Sequence, residues 1–243
     1  MTQFHLAERE SVATAIEAAA AASNLNELYA AIAAYEGHDV AVREPYTPSQ
    51  TAGHPLPLMI INEKPEPEDR EEGRPYSGSY GQIMRNACDT IGVNLDMCHI
   101  AYAVHWLPDA EKSPNKTQIA ASRPFLFREI ELVQPRAILA QGRGVIESLI
   151  RYRGAMLDVY GTETRFKHGD LDIPMFMTAH PAFCLYQGTY FSTFVDNTRD
   201  FFDRHGDEFE LTKPGSYTPM PQSRPHVDTP FKSLAEMKAA KAA

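Results

Sequence analysis

Residues 56–66 read Leu-Pro-Leu-Met-Ile-Ile-Asn-Glu-Lys-Pro-Glu, so an apolar run gives way abruptly to polar residues. A short continuous apolar run is typical of a strand that is buried on both faces of a parallel sheet. In open parallel sheets, ligands bind beyond the carboxyl ends of the strands. The polar residues that begin at Asn62 therefore mark the first place to look for a site.

Three further apolar runs follow, and segments of helical pattern separate them. Alternation of strands and helices at this spacing indicates a parallel sheet that is covered by helices on both faces. We therefore predict an α/β fold, a three-layer αβα sandwich around a central, mainly parallel, four-stranded sheet. The further strands fall at 99–104, 137–140 and 174–177, and the helices near 79–91, 117–133, 144–152 and 191–204.

The flanks of this core differ from it in composition. Residues 7–36 are Ala-rich and predict two helices, with Asn24 as a cap of the second and Gly37 as its stop signal. The tail is rich in proline, which favours an extended chain, and carries a short Ala/Lys helix from about residue 232. We divide the chain into an N-terminal helical segment and linker at 1–55, a central domain at 56–205 and a Pro-rich C-terminal extension at 206–243.

The composition of the 243-residue chain is that of a globular protein, with 43% hydrophobic residues. No leader-like or membrane-spanning segment is visible, so we expect a soluble, cytoplasmic monomer that does not enter a membrane. Cys88, Cys98 and Cys184 are too scattered for a disulfide framework and predict buried thiols.

The net charge of −9 is unfavourable for binding a polyanion over the whole surface, because Lys and Arg supply most nonspecific affinity for nucleic acid. The acidic residues are unevenly distributed, however. Residues 81–190 contain eleven Lys and Arg against eleven Asp and Glu, so much of the excess lies in the flanks and in the loop at 63–72. A local basic face is compatible with this distribution.

Two strand-end loops carry the candidate chemistry. The loop at 62–78 concentrates carboxylates, including Glu63 and Asp69, and His180 follows the last predicted strand. A solvated acidic loop and a surface histidine are the ordinary explanations for such residues. Their position favours a site instead, because parallel strands bring both loops to one edge of the sheet. Crowded carboxylates raise one another's pKa, which suits one of them to polarise a water molecule.

These loops resemble the motifs of the thermophile-type (family 4) uracil-DNA glycosylases. That family's pattern, Gly-Glu-Ala-Pro-Gly, acidic residues and then Gly-x-Pro-Phe-x-Gly, is similar to Asn62-Glu63-Lys64-Pro65-Glu66 followed by Gly73-Arg74-Pro75-Tyr76-Ser77-Gly78. His180-Pro181-Ala182 matches the family's second motif. Residues 122–126 and 128–142 are similar to its central helix, strand and loop, so the resemblance spans about residues 56 to 190.

Three departures from the family pattern matter. The cluster cysteines of the family fall on Trp106 and Ser122, and an iron–sulfur cluster needs four thiolates, so we expect no cofactor and no metal. The uracil-reading Asn falls on Tyr102, whose single hydroxyl cannot offer the donor and acceptor of an amide. Asn62 and Glu66 replace two glycines, which alters how closely the backbone approaches a base.

The resemblance implies a role for each candidate residue in extruding a nucleotide from DNA and cleaving its glycosidic bond. Cleavage builds positive charge on the sugar and negative charge on the base. The catalytic candidates are Glu63 and Asp69, for positioning water or stabilising the sugar cation, and His180, for stabilising the base anion or the sugar. Tyr76 is the candidate stacking face, and Tyr102, Asn62 and Pro65 are the other base-binding candidates. Phe183 and Leu185 would press on the duplex, and Arg123, Arg143 and Lys116 would contact phosphates.

Three functions remain open at this stage. The leading hypothesis is a DNA N-glycosylase that excises uracil or, preferably, a modified pyrimidine, so that its partner is DNA containing an altered base. The second is a transferase that adds a group to a flipped, hypermodified thymine and leaves the glycosidic bond intact. The third is a non-catalytic relative that binds DNA or protein, which the acidic composition favours.

Overall fold

A computed structural model describes residues 3–39, 41, 49, 57–107 and 113–206. Most of the predicted linker and the Pro-rich extension beyond Gly206 lie outside the described residues, so the structure leaves those predictions as they stand. None of the described helices is long and apolar enough to cross a lipid bilayer.

Five strands form one sheet in the order β2-β1-β3-β5-β4. Four of them are parallel, and β4 pairs antiparallel with β5. The predicted α/β class with a mainly parallel sheet is confirmed. The strands are β1 (Met59–Asn62), β2 (His99–Tyr102), β3 (Ile138–Gln141), β4 (Thr162–His168) and β5 (Leu171–Thr178).

The predicted strand number of four is wrong by one, because β4 escaped detection. Its sequence, Thr-Glu-Thr-Arg-Phe-Lys-His, contains one apolar residue, Phe166, and Phe166 is its only buried residue. An edge strand with polar side chains on its exposed positions has no continuous apolar run. Because the other strands were predicted from such runs, β4 was not predicted.

Of the eight helices given below, all in the part of the chain that the structure describes, six agree with the sequence pattern. Asn24 caps the second helix as predicted, since its side chain accepts a hydrogen bond of 3.0 Å from the backbone N–H of Glu27. That helix ends at Ala33, before Gly37, so Gly37 is not its stop signal. The helices are α1 (Gln3–Ala21), α2 (Leu25–Ala33), α3 (Pro67–Glu72), α4 (Ser79–Ile91), α5 (Lys116–Val133), α6 (Arg143–Ile150), α7 (Ala182–Tyr186) and α8 (Phe191–His205).

The sheet is the middle of three layers. Helices α4 and α8 pack on one face through residues such as Met84 and Phe202, and α5 and α6 pack on the other through residues such as Ile130 and Ile146. The three cysteines are free and buried, as predicted. The segments that follow the parallel strands lie at the carboxyl edge of the sheet, and they carry the candidate site residues.

Helices α1 and α2 pack against α5 and extend the core beyond the three layers. Trp106 is at the centre of this contact, 1% exposed, with its ring 5.5 Å from that of Tyr35, 4.9 Å from that of His38 and 6.2 Å from that of Phe125. Ser122, which the resemblance places at a second cysteine position, is buried and lies 3.2 Å from Nδ1 of His105. Both positions are therefore filled by packed side chains.

A buried carboxylate joins these helices to the sheet. Glu129 on α5 lies 3.0 Å from Nε2 of His99 and 3.2 Å from Nε2 of His105, and it accepts a 3.0 Å hydrogen bond from the Tyr29 hydroxyl. Burial by itself would raise the pKa of Glu129, but the hydrogen bonds and charges of the two histidines lower it well below its usual range. Glu129 and both histidines are fully buried, and with Tyr29 they hold α2, α5 and β2 together.

Candidate functional site

The four parallel strands all end in a polar residue at the same edge of the sheet. These residues are Tyr102, Asn62, Gln141 and Thr178, in the order β2-β1-β3-β5. Asn62 is paired with Tyr102, and Gln141 with Thr178, in the strand register. The residues two positions earlier in each strand pack in the core under α4 and α8. Because side chains alternate along a strand, the four polar side chains face that same layer.

Two atoms of this polar row have no hydrogen-bond partner among the residues that the structure describes. Asn62 accepts a 3.0 Å hydrogen bond at Oδ1 from the backbone N–H of Glu63, but its Nδ2 has no hydrogen-bond partner among the described residues. The buried hydroxyl of Thr178 also has no hydrogen-bond partner within the described parts of the chain. An unsatisfied buried polar group costs about 1–3 kcal/mol. Such atoms at the ligand-binding edge are candidates for contact with a ligand.

Tyr76 lies beneath the polar row and is held rigidly. Its hydroxyl donates to Oε1 of Gln141, and the residue is 1% exposed. Its backbone is in the left-handed region, with φ of 57°. A Cβ on Gly81 would lie 2.1 Å from the carbonyl oxygen of Tyr76, so a glycine at the start of α4 is required for this turn.

The predicted acidic loop contains a helix, α3, and this corrects its description as a loop. Pro67 is its first residue, and Asp69 accepts a 3.0 Å hydrogen bond from the backbone N–H of Glu66, which precedes the helix. Proline at the first helical position and carboxylates in the first turn both favour a helix start. The crowded acids therefore have a structural role that composition did not reveal.

Asp69 is the most enclosed of these acids. It is fully buried, and it accepts hydrogen bonds from the Tyr102 hydroxyl at 2.9 Å and from the backbone N–H of Ser77 at 2.7 Å, besides that of Glu66. Burial raises the pKa of Asp69, and these hydrogen bonds oppose the rise. The geometry favours a positioning role for Asp69, because both of its oxygen atoms are already engaged. Its catalytic role stays a prediction.

Glu63, the turn after β3 and His180 meet at one point. Oε2 of Glu63 accepts a 3.1 Å hydrogen bond from the backbone N–H of Gly144. A Cβ on Gly144 would lie 2.5 Å from that oxygen, and a Cβ on Gly142, whose φ is 90°, would lie 2.9 Å from Cβ of His180. The two glycines thus allow the loops after β1, β3 and β5 to close on each other. Glycines directly after a predicted strand were the signal that could have identified this turn from the sequence.

His180 is held in one tautomer. Its Nδ1 accepts a 3.1 Å hydrogen bond from the backbone N–H of Ala182, so the ring proton lies on Nε2. The ring packs edge-on against that of Tyr80, with centroids 4.9 Å apart. Burial, and then the nearby charge of Lys64, lower the pKa of His180 to about 3. His180 is therefore a neutral hydrogen-bond donor at physiological pH.

We expect the NMR resonance of His180 Cε1–H to keep its shift from about pH 8 to about pH 5, and in concentrated urea to titrate near the ordinary pKa of about 6.5. Between the folded value of about 3 and this value, the unfolded chain binds more protons than the folded one. The unfolding free energy that this group contributes therefore falls as the pH is lowered through that window. A titration of the folded resonance above about pH 6 would contradict the assignment.

The loop that follows Glu63 adds a lysine and a second carboxyl to the site. Lys64 and Glu66 are only 8% and 5% exposed. Glu66 accepts hydrogen bonds from the Ser79 hydroxyl at 2.9 Å and from the backbone N–H of Tyr80 at 2.8 Å, and burial raises its pKa to about 7. Burial lowers the pKa of Lys64, while the charges of Glu63 and Glu66 oppose this shift. In the sequence Lys64 looks like any other loop lysine, because its burial depends on the folded loop.

The remaining apolar candidates are partly enclosed. Pro65 is buried. Phe183 packs edge-on against Tyr190 with ring centroids 4.8 Å apart, and Leu185 packs on the core under α4 and α8. Tyr186, next in the chain, is 43% exposed. The exposed apolar surface of α7 is therefore contributed most clearly by Tyr186, which the sequence analysis did not select.

The three cationic candidates are spread over the molecule. Arg143 begins α6 beside the glycine turn and forms a 3.2 Å ion pair with Glu147. Lys116 begins α5 and is exposed. Burial and then the charges of Arg151 and Arg153, in the segment that follows α6, lower the pKa of Arg123. In the described parts of the chain, no three His, Cys, Asp or Glu side chains are arranged to hold a metal ion.

The chain is similar in sequence to known proteins. The profile of the uracil DNA glycosylase superfamily matches residues 49–203, more than half of the chain. A Type-4 uracil-DNA glycosylase of Pyrobaculum aerophilum is 28% identical over 158 residues, covering 63% of this chain and 81% of that protein. Type-4 uracil-DNA glycosylases of Sulfurisphaera tokodaii and Thermotoga maritima are 28% and 26% identical, each over 53% of this chain and over 61% and 66% of their own lengths.

Proposed function

Because the chain belongs to the uracil DNA glycosylase superfamily, we propose that it is a DNA glycosylase, a hydrolase that flips a pyrimidine nucleotide out of DNA and cleaves its glycosidic bond. The observation that carries this proposal is the meeting of Glu63 and neutral His180 at the Gly142–Gly144 turn. It places an acceptor and a donor at the edge where ligands bind in open parallel sheets.

The two side chains have the opposite properties that glycosidic cleavage requires. As the bond breaks, positive charge develops on the sugar and negative charge on the departing base. The carboxylate of Glu63 stabilises the sugar cation and polarises the attacking water. The Nε2–H of His180 donates to a carbonyl oxygen of the base and stabilises its anion. A neutral imidazole can donate this hydrogen bond without carrying a positive charge.

Base recognition is assigned to Tyr76 and Asn62. Tyr76 is the stacking residue that the resemblance implies, and because its side chain is 1% exposed, the base must displace the groups that cover its ring. The Nδ2 of Asn62, which has no hydrogen-bond partner among the described residues, donates to a pyrimidine carbonyl. The Tyr102 hydroxyl is engaged with Asp69, so it does not supply the donor and acceptor of a side-chain amide. One free donor reads a carbonyl that uracil and its 5-substituted forms share. Because Tyr102 stands where the family has its uracil-reading Asn, we assign the preferred substrate as a modified pyrimidine, with uracil accepted.

Contacts to the rest of the DNA are assigned to cationic side chains. Arg143, beside the glycine turn, contacts a phosphate next to the flipped nucleotide, and the exposed Lys116 and the half-buried Arg123 contact phosphates farther along the duplex. Phe183 and Leu185 stiffen α7, which presses on the duplex as apolar wedges do in other DNA-binding proteins. In this proposal the protein acts on DNA as a monomer in the cytoplasm.

The function is tested with oligonucleotides that carry uracil, thymine or 5-substituted pyrimidines at one position. Released base is quantified by mass spectrometry, and abasic sites are revealed by alkaline cleavage. We expect release of a 5-substituted pyrimidine to be faster than release of uracil, and thymine in normal DNA to be left intact. The His180→Ala variant is expected to release less base.

Two other outcomes would overturn the proposal. A gain of mass on a nucleotide whose base is still attached would favour a transferase acting on hypermodified thymine. Binding of DNA with neither release nor mass gain over the whole panel would favour a non-catalytic relative. The net charge of −9 makes the binding control necessary, because weak binding at high salt would otherwise hide activity.

A further inference from the structure

Lys64 is a buried ammonium that the proposed cleavage does not use. It directly follows Glu63 and is 8% exposed. Lysine is almost never fully buried in proteins unless it is paired or functional, because removing an ammonium from water is costly. Its burial directly after Glu63 places a lysine among the polar groups of the site.

The charged neighbours of Lys64 are the reacting groups of the site. The carboxylates of Glu63 and Glu66 both act on its ammonium, and its charge in turn acts on His180. Glu63 and His180 are the groups that face the sugar and base in the proposed function. The amine is thus part of the same polar cluster as the groups assigned to the glycosidic bond.

The environment of Lys64 favours a nucleophilic amine. Desolvation lowers the pKa of Lys64 and so increases the fraction in the neutral, nucleophilic form. Glu66, whose pKa burial raises to about 7, is a carboxyl that can take up the proton near neutral pH. A desolvated lysine in a pocket is one of the recurring ways in which proteins form imines with carbonyl compounds.

From this placement we propose that Lys64 forms an imine with C1′ of the abasic deoxyribose that base release leaves behind, which gives the protein a second activity as a lyase that cuts the DNA strand. The proposal rests on the proposed function, since base release supplies the abasic sugar. It assigns a covalent role to a residue that base release does not need.

The chemistry balances without any added oxidant or reductant. The neutral amine adds to the C1′ aldehyde of the ring-opened sugar, and loss of water gives the protonated imine. A carboxylate of the cluster removes a proton from C2′, and the electron pair expels the 3′-phosphate from C3′, leaving a C2′=C3′ double bond. Water then hydrolyses the imine, which restores the amine and releases the unsaturated aldehyde on the DNA end.

The experiment uses the full chain and an oligonucleotide with a preformed abasic site. Sodium borohydride delivers hydride to C1′ of the imine and converts it to a stable secondary amine, so the protein becomes covalently linked to the DNA. We expect a linked species and strand cleavage with the natural protein, and a loss of both by at least about 100-fold in Lys64→Arg, which keeps the charge but cannot form the imine. Lys167→Arg is the matched control, because Lys167 is 71% exposed on β4.

Peptide mass spectrometry of the linked natural protein locates the modified residue and needs no variant, so a poorly folding Lys64→Arg does not end the test. Modification of Lys64 supports the proposal. No linked species, a linkage at another amine, or equal linkage in Lys64→Arg would overturn it. Because the abasic site is preformed, linkage without base release would refute the proposed glycosylase alone, and base release without linkage would refute the lyase alone.

Discussion

Replacing Glu63 by Gln is expected to lower the rate of base release by about 10²–10³-fold, which corresponds to about 2.7–4 kcal/mol of lost transition-state stabilisation. The amide is the same size and can still accept the hydrogen bond that Gly144 donates to Glu63 at 3.1 Å, so the loop keeps its conformation. What disappears is the negative charge beside the sugar cation. Single-turnover release of base from a cleavable oligonucleotide measures the effect.

The kinetic parameters that change in Glu63→Gln distinguish a catalytic role of Glu63 from a structural one. Loss of an interaction that is made only in the transition state lowers kcat and kcat/KM equally and leaves KM unchanged. The matched control is Glu71→Gln, because Glu71 lies at the exposed end of α3 and its removal changes the net charge in the same way. If Glu63→Gln retains activity within a few-fold of Glu71→Gln, Glu63 is not the charge that stabilises the sugar.

Replacing Trp106 by Ala is expected to lower the free energy of unfolding by about 3–5 kcal/mol, the usual cost of removing a large buried aromatic. Trp106 is 1% exposed, and its ring contacts those of Tyr35, His38 and Phe125 across the interface between the N-terminal helices and α5. The cavity would open where α1 and α2 join the domain, so their detachment should accompany the loss.

Urea unfolding followed by circular dichroism measures this effect, since Trp106 is the chain's one tryptophan and the variant has no indole fluorescence. The control is Ile16→Ala on α1, because Ile16 is 53% exposed and its truncation is expected to change the unfolding free energy by at most about 0.5 kcal/mol. Equal stability of Trp106→Ala and the natural protein would show that the N-terminal helices contribute nothing to the stability of the domain.

The strands that could be located from the sequence are those whose burial restricts the residue types at consecutive positions. A strand buried on both faces must be apolar at consecutive positions, and β1, β2, β3 and the second half of β5 all meet this condition. The edge strand β4 has no such requirement, and its polar residues hid it. Helix α3 was missed for a related reason, since its six residues are too short and too acidic to show a periodic apolar face.

The edge at which Glu63 and His180 lie also followed from the sequence, because parallel strands oblige their carboxyl-end loops to share one side of the sheet. The folded chain decided how each side chain is used. Asp69 is engaged by Tyr102, which is distant in the chain. The charges of Glu63 and Glu66 act on a buried lysine that composition presents as one more surface charge. Strand patterns reflect burial along the chain itself, whereas hydrogen bonding and desolvation depend on which distant groups the fold brings together. That is why the position of the site was predictable from the sequence, while the burial of Lys64 and the neutral state of His180 emerged only from the tertiary structure.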